Sequence, residues 1–152
     1  AMRRLPLPSV LTLFAIGGLV AVSCVPTASP VPVASTAPAC RVVNVVDGDT
    51  VDMTCPGEGR FRARLTGFDT PESHEPRCAA EAQVAQAATA RLRGMVRAAD
   101  RVEARLGGSD RYNRRLVRLA LDGRDVGATL IAEGLALPYS GGRRPDWCAR
   151  LG

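Results

Sequence analysis

Lysine is missing from this 152-residue chain: all 20 of its basic residues are Arg. That excludes a lysine Schiff base and a lysine-dependent phosphate loop. Histidine is almost missing, with His74 alone. A Ser/His/Asp hydrolase therefore has little support, and His74 reads as an exposed loop residue. Aromatics are scarce, with three Phe, two Tyr and one Trp, too few for a cage or an extended stacking platform. The five cysteines include no C-x-x-C pair, which with one His argues against zinc. What remains looks globular: 46% hydrophobic and 23% charged residues, with a net charge of +5. Full-length disorder is excluded on that balance, and the length points to one small domain.

The organisation begins with a targeting pattern. Arg3 and Arg4 precede the uncharged, mostly apolar run Val10 to Val22. That run is short for a bilayer span and fits a signal-peptide core over residues 1–23. It ends in Ala21-Val22-Ser23-Cys24, which resembles a bacterial lipobox with Cys24 as the lipidated residue; ordinary cleavage nearby is the other reading. Pro26, Pro30, Pro32 and Pro38 then mark residues 24–39 as a stiff, unfolded tether. An exported protein is expected, membrane-anchored through Cys24 or secreted, with a folded domain over 40–152. Cys40, Cys55, Cys78 and Cys148 are then an even set in an oxidising compartment, so two disulfides are expected.

Within the domain, Val42–Val46 and Thr50–Thr54 read as strands joined at Asp47-Gly48, a tight-turn signal. Four cysteines allow three connectivities; in register, that hairpin brings Cys40 near Cys55, so Cys40–Cys55 with Cys78–Cys148 is the preferred one. Phe61, Ala63 and Leu65 alternate with Arg62, Arg64 and Thr66, giving a third, half-buried strand. A long helix follows over Ala79–Ala98, with Val84, Ala88, Leu92, Met95 and Val96 as its core stripe. Val102, Ala104 and Leu106 give a fourth strand, closed by a turn at Gly107 to Asp110, and Leu116–Leu121 a fifth. Val126, Leu130 and Ile131 suggest a short helix ending at Gly134, and Pro138 to Gly152 has few helix signals. The fold expected is α+β, mainly β: a five-stranded OB-fold barrel with one long helix after strand 3 and a short second helix. A generic α+β sandwich is the alternative.

Polar residues gather where strands end or turn: Asp47 and Asp49; Asp69 and Glu72, with Arg64 just before; Asp110, Arg111, Arg114 and Arg115. Scaffolds place functional side chains at such positions. Carboxylates from separate strand ends suit a hard divalent cation, which takes oxygen ligands. Guanidinium forks beside it suit a phosphodiester, and a further carboxylate suits activation of a water. Each piece has a plainer reading. Asp-Gly makes turns, Asp69-Thr70-Pro71-Glu72 resembles a helix start, and a strand-face arginine is often merely solvated.

The order of the pieces carries more than any one of them. Asp47-Gly48-Asp49-Thr50 precedes Arg64 and Asp69-Thr70-Pro71-Glu72, and Asp110-Arg111-Tyr112-Asn113-Arg114 comes after the helix. Over roughly Val42 to Tyr139 this resembles the staphylococcal nuclease (thermonuclease) family. The resemblance implies an OB-fold, calcium-dependent endonuclease acting on DNA and RNA with little sequence specificity. It implies metal binding by Asp49, Asp69 and the Thr70 carbonyl. It gives Glu72 as general base or water-positioner, Arg64 and Arg114 as phosphate-binding catalytic arginines, and Tyr112 at the nucleotide pocket, with Arg111 and Tyr139 as further substrate contacts. Arg60, Arg62 and Arg115 would lie beside the phosphate site. Single-stranded substrates and a monomer are expected; a catalytically silent nucleic-acid-binding surface lipoprotein is the alternative. Three departures stand out. Asn113 replaces a customary Gly, the loop Ser73 to Arg77 is short, and the family's long C-terminal helix gives way to a stretch pinned by Cys148.

Overall fold

A computed structural model describes residues 39–152. The signal segment 1–23, Cys24 and nearly all of the tether lie outside the described residues. Strands β1 (Arg41–Val45) and β2 (Thr50–Cys55) form the expected antiparallel hairpin, with Arg41 opposite Thr54 and Val45 opposite Val51. Its open end carries a Cys40–Cys55 disulfide. β3 (Gly59–Leu65) pairs along the whole of β2. Its alternation is the reason for its two faces: Ala63 and Leu65 are buried, while Arg62 is exposed and Arg64 half-buried.

A short β4 (Gly67–Asp69) leads through a loop to helix α1 (Ala79–Ala98), with the bounds expected from its pattern. Its buried stripe is Glu81, Ala85, Ala88, Thr89 and Leu92, with Val84 only partly covered. Small alanines let the helix lie close to the sheet, so the stripe sits one residue away from the larger Val84. β5 (Val102–Ser109) and β6 (Arg115–Leu121) pair antiparallel. Gly107 and Gly108 belong to β5 as an irregularity in the ladder between Leu106 and Ser109, not to the turn, which begins at Asp110. β7 (Arg124–Asp125), α2 (Val126–Ala132), β8 (Leu137–Tyr139) and α3 (Trp147–Leu151) complete the order.

The main sheet runs β1-β2-β3-β6-β5, with β3 and β6 parallel and β7 added on β6; β4 and β8 form a separate pair. The architecture is therefore mixed α+β and mainly β, but strand pairing among the described residues does not close the expected five-stranded barrel. The two edges, β1 and β5, are separated by a groove of about 600 Å³ lined by Cys40, Arg41, Cys55 and Val102. At the start of β5, the Asp100 and Arg101 amides donate to the Asp122 side chain rather than to β1. The core between sheet and helices holds Val51, Met53, Ala63, Leu65, Phe68, Leu92, Val117, Val126 and Leu130. Full burial of the Val, Leu, Met and Phe side chains among them contributes about 1.5–3 kcal/mol each.

The C-terminal stretch differs most from expectation. Asp146 caps α3 by accepting from the Ala149 amide at 3.1 Å. The Cys78–Cys148 disulfide then fastens this helix to the start of α1. Among the described residues, no helix is long and apolar enough to cross a membrane.

Candidate functional site

The site is built on two buried carboxylates from different strand ends. Asp49 stands at the entry to β2, and its carbonyl accepts from the Leu65 amide at 2.7 Å, which locks it to β3. Asp69 closes β4 opposite Leu137 of β8 and is fully buried. Arg64 on β3 lies between them. Its Nη1 pairs with Asp49 Oδ1 and its Nη2 donates to Asp69 Oδ1 at 3.0 Å. Thr70 adds its amide at 3.3 Å and its hydroxyl at 3.0 Å to Asp49 Oδ2. Gly48 is required here for space rather than for a turn conformation: a Cβ would sit 2.8 Å from Thr70 Oγ1 and 3.0 Å from the Ala88 Cβ. Burial pushes the Asp49 carboxyl up to about 6, against the opposing pull of Arg64.

Glu72 follows in the loop after β4. Its Oε1 accepts from the His74 amide at 3.0 Å and its Oε2 from Arg144 Nη1 at 3.2 Å. The His74 amide first, then Arg144, hold the Glu72 carboxyl below the usual glutamate range. His74 itself is exposed, as its sequence context indicates. The loop is braced by buried Glu81 of α1, whose carboxylate accepts from the Arg77 amide at 2.8 Å and the Glu72 amide at 3.4 Å.

Two residues of the C-terminal stretch were not foreseen in the sequence. Arg144 donates from Nε to Asp69 Oδ1 at 2.8 Å and from Nη2 to the Thr70 carbonyl at 3.0 Å, besides reaching Glu72. Trp147, buried, donates its indole N–H to Asp69 Oδ2 at 3.1 Å. A signal for both was present: pairing Cys78 with Cys148 necessarily brings residues 141–147 against the loop that precedes Cys78.

The third component is the turn between β5 and β6. Asp110 Oδ1 accepts from the Tyr112 and Arg114 amides, both at 2.9 Å, and its Oδ2 from Arg114 Nε at 2.8 Å. Asn113 takes φ 61°, the left-handed conformation it tolerates in place of Gly. Arg111 and Arg114 lie 4.8 and 5.4 Å from the centre of the exposed Tyr112 ring. The Tyr139 hydroxyl donates to the Gly142 carbonyl at 2.7 Å.

One cleft of about 890 Å³ collects Asp49, Arg64, Thr70, Glu72, Arg111, Tyr112, Arg114, Tyr139 and Arg144, with Arg62 at its edge. Asp69 lies beneath its floor, reached through Arg64 and Arg144. Arg60 and Arg115 do not line the cleft: Arg60 faces Asp52 and Arg115 faces Glu58. Cys78, Glu81 and Cys148 cluster tightly, but both sulfurs are in the disulfide and are not free thiolates.

Fold and site together define a small, disulfide-braced, mainly β protein in which a buried carboxylate pair underlies one open cleft lined by arginines. The family model for staphylococcal nuclease homologues matches residues 62–146, more than half of the chain, and the chain belongs to this family. The matched span contains Arg64, Asp69, Thr70, Glu72, Tyr112, Arg114, Tyr139 and Arg144. Asp49 and Trp147 fall outside it, and it is the folded geometry that joins them to the rest.

Proposed function

We propose that this domain is a calcium-dependent endonuclease that hydrolyses phosphodiester bonds of DNA and RNA. The observation that carries this reading is the meeting of Asp49, Arg64, Glu72 and Arg114, from four separate segments, at one cleft, with Asp69 directly beneath and bonded to Arg64. Arg64 and Arg114 are phosphate-gripping groups: guanidinium forks bind phosphate oxygens bidentately and oppose the charge that grows on them. The His74 amide and Arg144 favour the ionised form of Glu72, whose carboxylate at the cleft is the group placed to orient a water and accept its proton. Tyr112, exposed and flanked by Arg111, offers a face on which an unpaired base stacks, which favours single strands. Tyr139, tied to Gly142, also lines the cleft.

The donor set fits a hard cation. Two buried carboxylates, Asp49 and Asp69, and the Thr70 carbonyl supply oxygen only, and the cost of burying Asp49 is what a nearby cation would offset. When bound, calcium would supply further charge neutralisation at the phosphate. The sheet order β1-β2-β3-β6-β5, with β3 and β6 parallel, supports reading the scaffold as OB-like. The leader pattern supports export, with Cys24 as a lipid anchor on a Pro-rich tether, and the domain acts as a monomer.

The test is digestion of single-stranded DNA and of RNA by the oxidised protein with calcium and with EDTA. Cleavage that needs calcium supports the reading. Intact substrate at high enzyme with calcium overturns it, and retained binding in that case would make the domain a nucleic-acid-binding module.

A further inference from the structure

Arg144 is attached to oxygens that the proposed cation also needs. Its Nε bonds Asp69 Oδ1 and its Nη2 bonds the Thr70 carbonyl, and both acceptors belong to the set assigned above to calcium. Asp69 has no spare oxygen: Oδ1 is shared by Arg64 and Arg144, and Oδ2 receives the Trp147 indole N–H. Arg64 also bonds Asp69 Oδ1, but only Arg144 holds that oxygen and the Thr70 carbonyl together, so a divalent ion taking both is repelled by its guanidinium. Arg64 is paired with both carboxylates from within β3, is mostly covered and does not touch the Thr70 carbonyl. Arg144, with a side chain 44% exposed, comes from the surface segment between β8 and α3. It is the partner that can leave.

Three contacts keep that segment over the site. The Cys78–Cys148 bridge fixes α3, Arg77 Nη2 bonds Asp146 Oδ1 at 3.1 Å, and the Tyr139 hydroxyl bonds the Gly142 carbonyl. The effective concentration of the guanidinium at the carboxylates is therefore high and constant.

We propose that Arg144 is a built-in competitor for the cation site: the stapled C-terminal segment holds its guanidinium on Asp69 and Thr70, and the divalent cation binds by displacing it. This rests on the nuclease reading only for the identity of the cation site. Its consequence is that calcium affinity is set weaker than the oxygen donors alone would give, so the site fills only where calcium is plentiful. The displaced guanidinium remains in the cleft, where it faces substrate phosphate.

Calcium titration of the full, oxidised chain tests this by calorimetry and by the emission of Trp147, the only Trp and a direct partner of Asp69. Arg144→Gln is expected to bind calcium about tenfold more tightly, since a charge-assisted contact no longer has to be broken. Arg144→Lys, which keeps the charge but loses the three-way fork, is expected to fall between the two. Arg143→Gln removes the same charge from the adjacent exposed residue and is expected to leave the affinity unchanged. Equal or weaker binding by Arg144→Gln would overturn the proposal. So would an equal gain in Arg143→Gln, or no calcium binding by any form. If Arg144→Gln does not fold, Arg144→Lys decides: tighter binding supports the proposal, and unchanged binding refutes it. Failure of the nuclease reading shows separately, as absence of cleavage by the wild-type chain at saturating calcium.

Discussion

Asp49 shows how one residue serves the site at the expense of the fold. Its folded pKa of about 6 exceeds its ordinary 3.8, so between those values the folded state binds more protons than the unfolded state. Stability therefore falls as pH rises through that window, and the penalty is complete above about 6. In calcium-free buffer, Asp49→Asn is expected to stabilise the domain at pH 7 by about 1–3 kcal/mol and to flatten this pH dependence. Urea melts from pH 4 to 8 measure both. The same variant should lose cleavage. Tyr112 is the contrasting case. It is 65% exposed, so Tyr112→Ala should change stability by less than about 0.5 kcal/mol. Oligonucleotide affinity should nonetheless weaken by about 1–3 kcal/mol, as loss of one stacking face predicts. Fluorescence anisotropy at fixed salt reads that change.

At the scale of elements, local signals that agree with one another were legible and long-range ones were not. The Asp47-Gly48 hairpin, the β3 alternation and the bounds of α1 follow from period and turn chemistry. Gly107 and Gly108 read as a turn because glycine punctuates sequence, yet the ladder runs through them into an irregular strand end. Barrel closure was illegible because it depends on whether the distant edges β1 and β5 meet. The C-terminal segment has weak helix signals, and only its capping Asp146 and its disulfide make α3. The two bridges should accordingly behave differently. Cys78–Cys148 closes 70 residues and Cys40–Cys55 closes 15. In the chain-entropy account their removal by paired Ser substitutions costs about 4 and about 3 kcal/mol. Loss of the first should also release the buried Trp147 and shift its emission to the red. Loss of the second should leave that emission unchanged.

Across the whole molecule, the lack of lysine places every basic contact on arginine. Four of the five cleft arginines are already paired with carboxylates: Arg62 with Asp52, Arg64 with Asp49 and Asp69, Arg114 with Asp110, and Arg144 with Asp69 and Glu72. The site is thus a network of mutually compensating charges rather than a bare positive patch, and in the proposed reaction its arginines would exchange internal partners for phosphate. The excess positive charge still favours encounter with a polyanion, so cleavage below saturation should slow as salt is raised. The motif order revealed which residues share a cleft, because each motif is local in sequence. It did not reveal Arg144 or Trp147, which reach Asp69 only across the disulfide. The most direct test of the central claim is one assay on labelled single-stranded DNA, with wild type and Glu72→Gln compared with and without calcium. The account predicts calcium-dependent cleavage by wild type, and at least a hundredfold loss in Glu72→Gln, the scale of general-base catalysis (~10²–10⁴), with DNA binding retained. Equal cleavage by both proteins, or none by wild type with calcium, would contradict it.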